Sequence, residues 1–527
     1  MGLGFSLSDL VKAPEVNPIN GKARKVPVLN VVDIHGRVFF FAWFGFMISF
    51  WAWYTFPPLL THTIKADLHL TSQQIANSNI VSLCATLFIR FIAGPLCDQF
   101  GPRKVFAGCL LVGALPVGLA PLVQTANGLY ASRFFIGILG GCFVPCLVWT
   151  TGFFDKNVIG TANALAGGWG NAGGGITYFI MPAVYDSFVA RGYSMGQAWR
   201  LTFIVPLIML IFTGVALLLL CPDTPVGRWS DRKLHMQETL HSQGPEGSPV
   251  VCVPGSIDNK HHSTTGAASN EQDFKENGHS NEATLESNGS PSHYTSDDAN
   301  MASDDVLQAA QCELVVKPTF KEAMKVGFSP QTWVLMLCYA CSFGGELAIN
   351  SALPSYYHEN FPSLGQTEAS YWTAMFGFLN FVTRPLGGVI SDVLYNKFGH
   401  SLWLKKTWMH ACGVLTGMLL IVIGRVNPHH LPTFTGLMAL MAIFLEAGNG
   451  ANFALVPHVH PQANGIVSGF TGGVGNLGGV MFAIIFRFMG DGTDCAKAFW
   501  VIGCIHLGLN VLLCWIRPIP KGQVGGH

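Results

Sequence analysis

Charge is scarce in this 527-residue chain and neither sign is in surplus: 30 Lys+Arg face 30 Asp+Glu, or 11% of residues, where soluble proteins average about 25%. Without a basic excess to neutralise phosphates, a nucleic-acid binder is excluded. With 50% of the residues apolar, a chain disordered throughout is excluded as well. No G-x-x-x-x-G-K-[ST] phosphate loop occurs, which argues against an ATP-driven pump. Nor is there a catalytic nucleophile and base set, a cofactor site or a metal site: His458 and His460, and the pair His429 and His430, lack acidic or thiol partners at ligand spacing. Cysteine forms no framework of polar loops, since most of the 14 lie in apolar runs. Cys338 and Cys341 form a C-x-x-C, but in an apolar helix without βαβ context, so no redox role is assigned.

Long apolar runs are abundant. Twelve windows near the 20 residues that cross a hydrocarbon core lie at roughly 38–60, 75–96, 104–124, 128–150, 160–184, 199–220, 332–352, 370–390, 405–425, 433–455, 464–488 and 497–516. The expected organisation is an all-α membrane protein: a tail (1–36), a six-helix bundle (37–221), a central loop (222–330), a second bundle (331–516) and a tail (517–527). The polar first 36 residues contain no cleavable signal peptide. The loop holds 16 acidic and 8 basic residues, a net of −8 that leaves +8 on the remainder. Nineteen basic residues flank the helices on the N-terminal side against six on the other, which places both termini and the loop in the cytoplasm. Residues 240–310, rich in Ser, Asn, Gly, Asp and Glu, read as disordered, either a passive linker or a segment that is phosphorylated or binds regulators. The sequon at Asn288 would face the wrong side for use.

The two halves repeat. LFIRFIAGPLCDQFGPRK in the second window matches FVTRPLGGVISDVLYNKFG in the eighth, with Arg90 and Arg384 each eight residues before Asp98 and Asp392. GGWGNAGGG (167–175) matches GGVGNLGGV (472–480), setting Asn171 against Asn476. Such duplication suggests a transporter that binds its substrate near the midplane, between the halves. Gly473 to Gly478 satisfies G-x-G-x-x-G, but no strand precedes it, so no dinucleotide site is assigned. Small residues at this spacing let helices approach closely and slide, which makes Gly170, Gly173, Gly174, Gly475 and Gly478 candidates for a conformational role.

A charge at helix centre costs about 2.5 to 3.5 kcal/mol on insertion scales, so two arginines at matching depth need a reason. They lie too far from the helix ends to snorkel, and neither helix holds an intramembrane acid, so they read as two unpaired guanidinium groups forming an anion site. The planar fork of donors suits a small, flat, singly charged oxyanion, with amide donors added by Asn171 and Asn476. A larger or doubly charged substrate stays open. Arg133 reads as snorkelling or structural. Gly94, Asp98, Arg103 and Lys104, with Asp392 in the other half, read as parts of an inner gate held by charge-dipole and interhelix contacts.

At this point a family can be named. GPLCDQFGPRK, from Gly94 to Lys104, and RFFIG, from Arg133, resemble motifs of the major facilitator superfamily. The doubled glycine-asparagine runs with Arg90 and Arg384 look like the nitrate/nitrite porter family, nearest the fungal-type high-affinity nitrate transporters. The resemblance covers about residues 37–222 and 330–516 and implies a monomeric rocker-switch transporter of nitrate, and usually nitrite, in the plasma membrane. It implies that Arg90 and Arg384 bind the anion, that Asn171 and Asn476 are the signature asparagines, and that Phe143 and Phe453 are the aromatics that sandwich it. Ordinary packing of these two phenylalanines stays an open alternative.

Proton symport needs a titratable group, and two acids lie well inside the windows, Glu346 and Glu446. Each is a candidate for coupling, against a role as a hydrogen-bonded structural acid. His410 and His506 read as hydrogen-bonded packing residues. The competing readings are a nitrate/nitrite exchanger, a transporter of another small anion or an organic acid, and a nutrient sensor signalling through its loop.

Overall fold

The computed structural model describes residues 10–17, 20–155, 158–230, 320–399, 401–489 and 494–520. The expectations placed on 240–310, including Asn288, lie outside the described residues. Twelve helical segments follow the twelve apolar windows: α1 (Ile34–Trp53), α2 (Ser72–Phe100), α3 (Pro102–Leu119), α4 (Ala126–Ile136, continuing through a 3-10 stretch Gly137–Cys142 into Phe143–Phe153), α5 (Ile159–Asn171 and Gly173–Ala190), α6 (Met195–Thr202 and Ile204–Leu220), α7 (Pro330–Asn360), α8 (Gln366–Lys397), α9 (Leu402–Val426), α10 (Leu431–Leu455), α11 (Asn464–Phe488) and α12 (Cys495–Leu513). Extended pairing among the described residues is limited to isolated bridges, where Ala23 meets Val16 and Phe154.

Side-chain caps begin several helices. Asp33 accepts from the backbone of His35 and Gly36 before α1, Ser329 accepts from Thr332 before α7, and Thr71 with Gln74 forms a capping box before α2. Among the described residues ten helices are long and apolar enough to cross a membrane on length and composition; α5 and α8 are not among them. α5 is interrupted at Ala172 within its glycine run, and α8 carries Arg384 and Asp392. Both can be polar because they pack against each other between the halves, as α2 does against α11.

Within each half the repeated glycines serve close helix packing. A Cβ on Gly170 or Gly173 would lie 1.9 Å from the Phe46 ring or 2.2 Å from the Met47 carbonyl of α1. On Gly475 or Gly478 it would lie 2.5 Å from Tyr339 or 2.2 Å from the Ala340 carbonyl of α7. These are matching contacts in the two repeats, and only glycine permits them.

Two prolines join the halves. Pro385 cannot donate to the carbonyl of Phe381 four residues earlier in α8, and Trp169 of α5 donates there instead, at 3.0 Å. Pro354 likewise frees the Asn350 carbonyl of α7, which accepts from Tyr178 of α5 at 3.1 Å.

Candidate functional site

Arg90 of α2 and Arg384 of α8 meet in one layer, 0% and 1% exposed. Phe143 of α4 lies beside both: the guanidinium carbons are 4.6 Å and 5.7 Å from its ring centroid. Phe343 of α7 does the same at 4.9 Å and 5.8 Å. Ring faces offset part of the cost of burying two cations. Phe453 of α10 meets Phe143 edge-on at 4.9 Å, and Tyr339 stacks on Phe343 at 4.9 Å, one turn away on α7.

Each arginine is only partly committed. Arg90 donates from Nε to the Gly140 carbonyl (2.8 Å) and from Nη1 to the Gly472 carbonyl (3.1 Å), while its Nη2 has no hydrogen-bond partner among the described residues. Arg384 donates from Nη2 to the Tyr339 hydroxyl at 2.8 Å. Its Nη1 makes no hydrogen bond among the described residues and stands 3.8 Å from Glu346 Oε2. This corrects the expectation of two unpaired guanidinium groups: the acid facing Arg384 is on α7, and neither α2 nor α8 carries it.

Glu346 accepts from Asn380 Nδ2 at 2.8 Å and Asn449 Nδ2 at 2.7 Å, on α8 and α10. Glu446 accepts from Thr383 at 2.6 Å, and its Oε1 has no partner among the described residues. Two amides, a hydroxyl and a guanidinium thus surround two acids in the C-terminal half. Tyr339, Phe343, Asn380, Asn449 and Thr383 were not singled out from the sequence. The available signal was the polar side chains inside apolar runs, Asn380 and Thr383 within one turn of Arg384.

Asn171 and Asn476 lie one turn beyond Gly167 and Gly472, the glycines beside the two arginines: a Cβ on Gly167 would lie 3.2 Å from Arg384 Nε, and one on Gly472 3.6 Å from Arg90 Cδ. Neither polar atom of Asn171 has a partner among the described residues, although the residue is buried. Asn476 donates to the Gly472 carbonyl at 3.0 Å, the carbonyl that also takes Arg90.

Near the N-terminal tail, Asp392 accepts from the backbone and hydroxyl of Thr161 at 2.7 Å and 2.8 Å and from Lys405 at 2.8 Å, so α8 supplies a carboxylate to the first turn of α5. Asp98 repeats this against α11: a Cβ on Gly465 would lie 2.4 Å from its Oδ1. Gly94, one turn earlier, gives α2 room against the Gly465 carbonyl, 2.8 Å from a built Cβ. Arg103 turns instead to its own half, pairing with Asp223 and the Cys221 carbonyl after α6, and Lys104 is exposed. Gly174 faces Tyr54 of α1. Arg133 is buried and donates to Ser78 at 3.4 Å, which makes it structural and not a snorkelling residue.

The sequence profile of the Major Facilitator Superfamily matches residues 42–331 and 332–526. The chain belongs to the major facilitator superfamily. Like other members it is a multi-pass membrane transporter and not an enzyme. It is 35% identical to Elsinochrome transporter 1 of Elsinoe fawcettii over 99% of this chain and 100% of that protein. It is 29% identical to High-affinity nitrate transporter 2.3 of Oryza sativa subsp. japonica, covering 94% and 79% of the two chains. Nitrate/nitrite transporter NrtP of Nostoc punctiforme is also 29% identical, with 92% and 93% covered. A crystal structure of a double-tryptophan mutant of XylE shares the fold at a TM-score of 0.60 and 14% identity, covering 93% of this chain and 98% of that one.

Proposed function

We propose that this superfamily member imports nitrate, and nitrite, across the plasma membrane by alternating access, with a proton as the coupling ion. The observation that carries the reading is the pair Arg90 and Arg384, buried against one aromatic ring and each with a guanidinium nitrogen that has no hydrogen-bond partner among the described residues. Two forks of donors in a dry layer fit a flat monovalent oxyanion. Phe143 and Phe453 flank it, and Asn171, whose polar atoms have no partner among the described residues, adds an amide donor; Asn476 supports Arg90 through the Gly472 carbonyl. The relatives named for nitrate and nitrite transport support this cargo.

Both termini and the central loop are in the cytoplasm, so Asp98 and Asp392 close the inner side, with Gly94 giving α2 and α11 their close approach there. Tyr178 on Asn350 closes the outer side. Alternating access opens one set at a time while the glycine-packed pairs α1 with α5 and α7 with α11 move together. Gly170, Gly173, Gly174, Gly475 and Gly478 belong to those pairs, and Arg103 and Lys104 to the inner rim.

Glu346 is the coupling acid. Its carboxylate balances Arg384 at 3.8 Å; when nitrate takes that place, the displaced carboxylate binds a proton. Glu446, next in the same polar cluster, is the second station. The transporter works as a monomer in the bilayer, and its central loop is an accessory for regulators or phosphorylation. Nitrate flux by the purified chain in liposomes tests the reading, since a folded chain that moves no nitrate contradicts it. A second reading is favoured by the 35% identical relative, whose name assigns it elsinochrome: the same two arginines would hold another anion, and competition of nitrate, nitrite, chlorate and a monocarboxylate for uptake separates the two.

A further inference from the structure

The two halves differ in a feature the anion layer does not use. Where α3 meets α6, Arg103 binds the Leu218 and Cys221 carbonyls at the inner end, as Lys406 does in the other half, but farther along the contact is aliphatic, with Gly214 against Leu111. The corresponding pair in the C-terminal half, α9 and α12, buries Lys406, His410, Thr416, His506 and Asn510. Buried polar groups carry a desolvation cost, so two histidines and an asparagine with no counterpart between α3 and α6 call for a function.

His506 is 1% exposed; among the described residues no side chain hydrogen-bonds its ring, which faces the Cys341 backbone. Its ring stacks on Phe482 at 5.8 Å, and a Cβ on Gly345, the residue before Glu346, would lie 3.1 Å from Nε2. His506 borders a cavity of about 10 Å³, room for one water molecule, walled also by Ser342, Thr416, Asn510 and, next to Glu446, Leu445. Two hydroxyls, an amide and an imidazole in the wall offer such a water polar partners.

Polar groups continue from there to the inner face. Asn510 donates to the His506 carbonyl at 2.9 Å, its Oδ1 meets His410 Nδ1 at 3.1 Å, and His410 Nε2 has no partner among the described residues. One turn nearer the inner face, Lys406 donates to the carbonyls of Leu513 and Cys514 at 3.0 Å and 2.9 Å. The other titratable groups facing this column among the described residues are thiols: Cys338, 3.9 Å from His410 Nδ1, Cys341 in the cavity wall, and Cys514 beside Lys406.

We propose that this column is the route by which the coupled proton leaves for the cytoplasm, through the body of the C-terminal half and apart from the anion path. A protonated Glu346 or Glu446 gives up its O–H proton to the cavity water, which passes one of its own to the unprotonated nitrogen of His506. The ring then releases the proton on its opposite nitrogen toward His410, which takes it on Nε2 and gives it from that nitrogen to water at the inner face, returning to the neutral form. The histidines that read as packing residues one at a time are paired here by α9 and α12. The proposal rests on the proton-coupled reading above.

The test uses the full chain in liposomes and two fluxes: nitrate accumulation driven by an inward proton gradient, and exchange of labelled for unlabelled nitrate at equal pH. Glutamine keeps a polar group but cannot shuttle a proton, so His506→Gln is expected to lower accumulation about tenfold or more while exchange stays within about twofold. His410→Gln should give the same split, and so should Ser342→Ala combined with Thr416→Val, which strips hydroxyls from the cavity without touching either ring. Unchanged accumulation in these variants overturns the relay, as does an equal loss of both fluxes in folded protein, which would make His506 a packing residue. Nitrate exchange without proton-driven accumulation in the unaltered chain overturns symport and the relay with it, whereas absence of nitrate exchange there overturns the nitrate reading itself.

Discussion

Glu346 occupies on α7 the position that Trp53 occupies on α1. Trp53 donates to Thr86 of α2 at 3.0 Å, and Glu346 accepts from Asn380 of α8 at 2.8 Å; Thr86 and Asn380 are themselves 294 residues apart, the offset that separates Arg90 from Arg384. The duplicated scaffold thus holds a neutral ring in one half and an acid in the other. Coupling assigned to the C-terminal half follows from that asymmetry, and Glu346→Gln is expected to abolish proton-driven nitrate accumulation while nitrate exchange persists. Paired flux assays check this, and undiminished accumulation would remove Glu346 from coupling.

Arg90→Lys and Arg384→Lys keep the charge and lose the fork. A charge-assisted hydrogen bond is worth about 1.5 to 3 kcal/mol, so each variant should raise the KM for nitrate by about one to two orders of magnitude. Initial-rate uptake against nitrate concentration reads the change, and an unaltered KM in either variant contradicts direct binding.

Asp392→Asn and Tyr178→Phe should act in opposite senses. The first weakens the carboxylate contacts to Thr161 and Lys405; the second deletes the bond to the Asn350 carbonyl. A cysteine introduced at the arginine layer and labelled with an impermeant thiol reagent should become more reactive from the cytoplasmic side in the first variant and from the outside in the second. Equal effects on both sides would remove these residues from gating.

Gly478→Ala places a methyl group 2.2 Å from the Ala340 carbonyl, whereas nothing lies within 4 Å of the Cβ position of Gly108. Overpacking of this kind costs about 1 to 3 kcal/mol. Thermal unfolding in detergent should show a lowered Tm for Gly478→Ala and an unchanged one for Gly108→Ala; similar Tm values would mean that α7 and α11 separate freely.

The helices and their pairing were legible because duplication doubles every signal. Arg90 with Arg384 and Asn171 with Asn476 stand out by repeating, and apolar runs of membrane length fix where helices lie. What does not repeat was harder to read. Glu346 was visible as an intramembrane acid, but its approach to Arg384 depends on packing between α7 and α8, which no spacing along either helix encodes. Tyr339 and Phe343 are hidden among many aromatics until α7 is folded against α4. His410 and His506 looked isolated because 96 residues of sequence separate them, and only the packing of α9 on α12 brings His410 to Asn510, one turn from His506.

The most direct test of the transport mechanism is nitrate flux by the purified chain in liposomes, measured with and without an inward proton gradient and compared with the Arg90→Lys and Arg384→Lys variants. The expected result is nitrate accumulation that needs the gradient and falls at least about tenfold at low nitrate in each variant. Nitrate flux that is absent from folded wild-type protein, or that survives both substitutions unchanged, would contradict it.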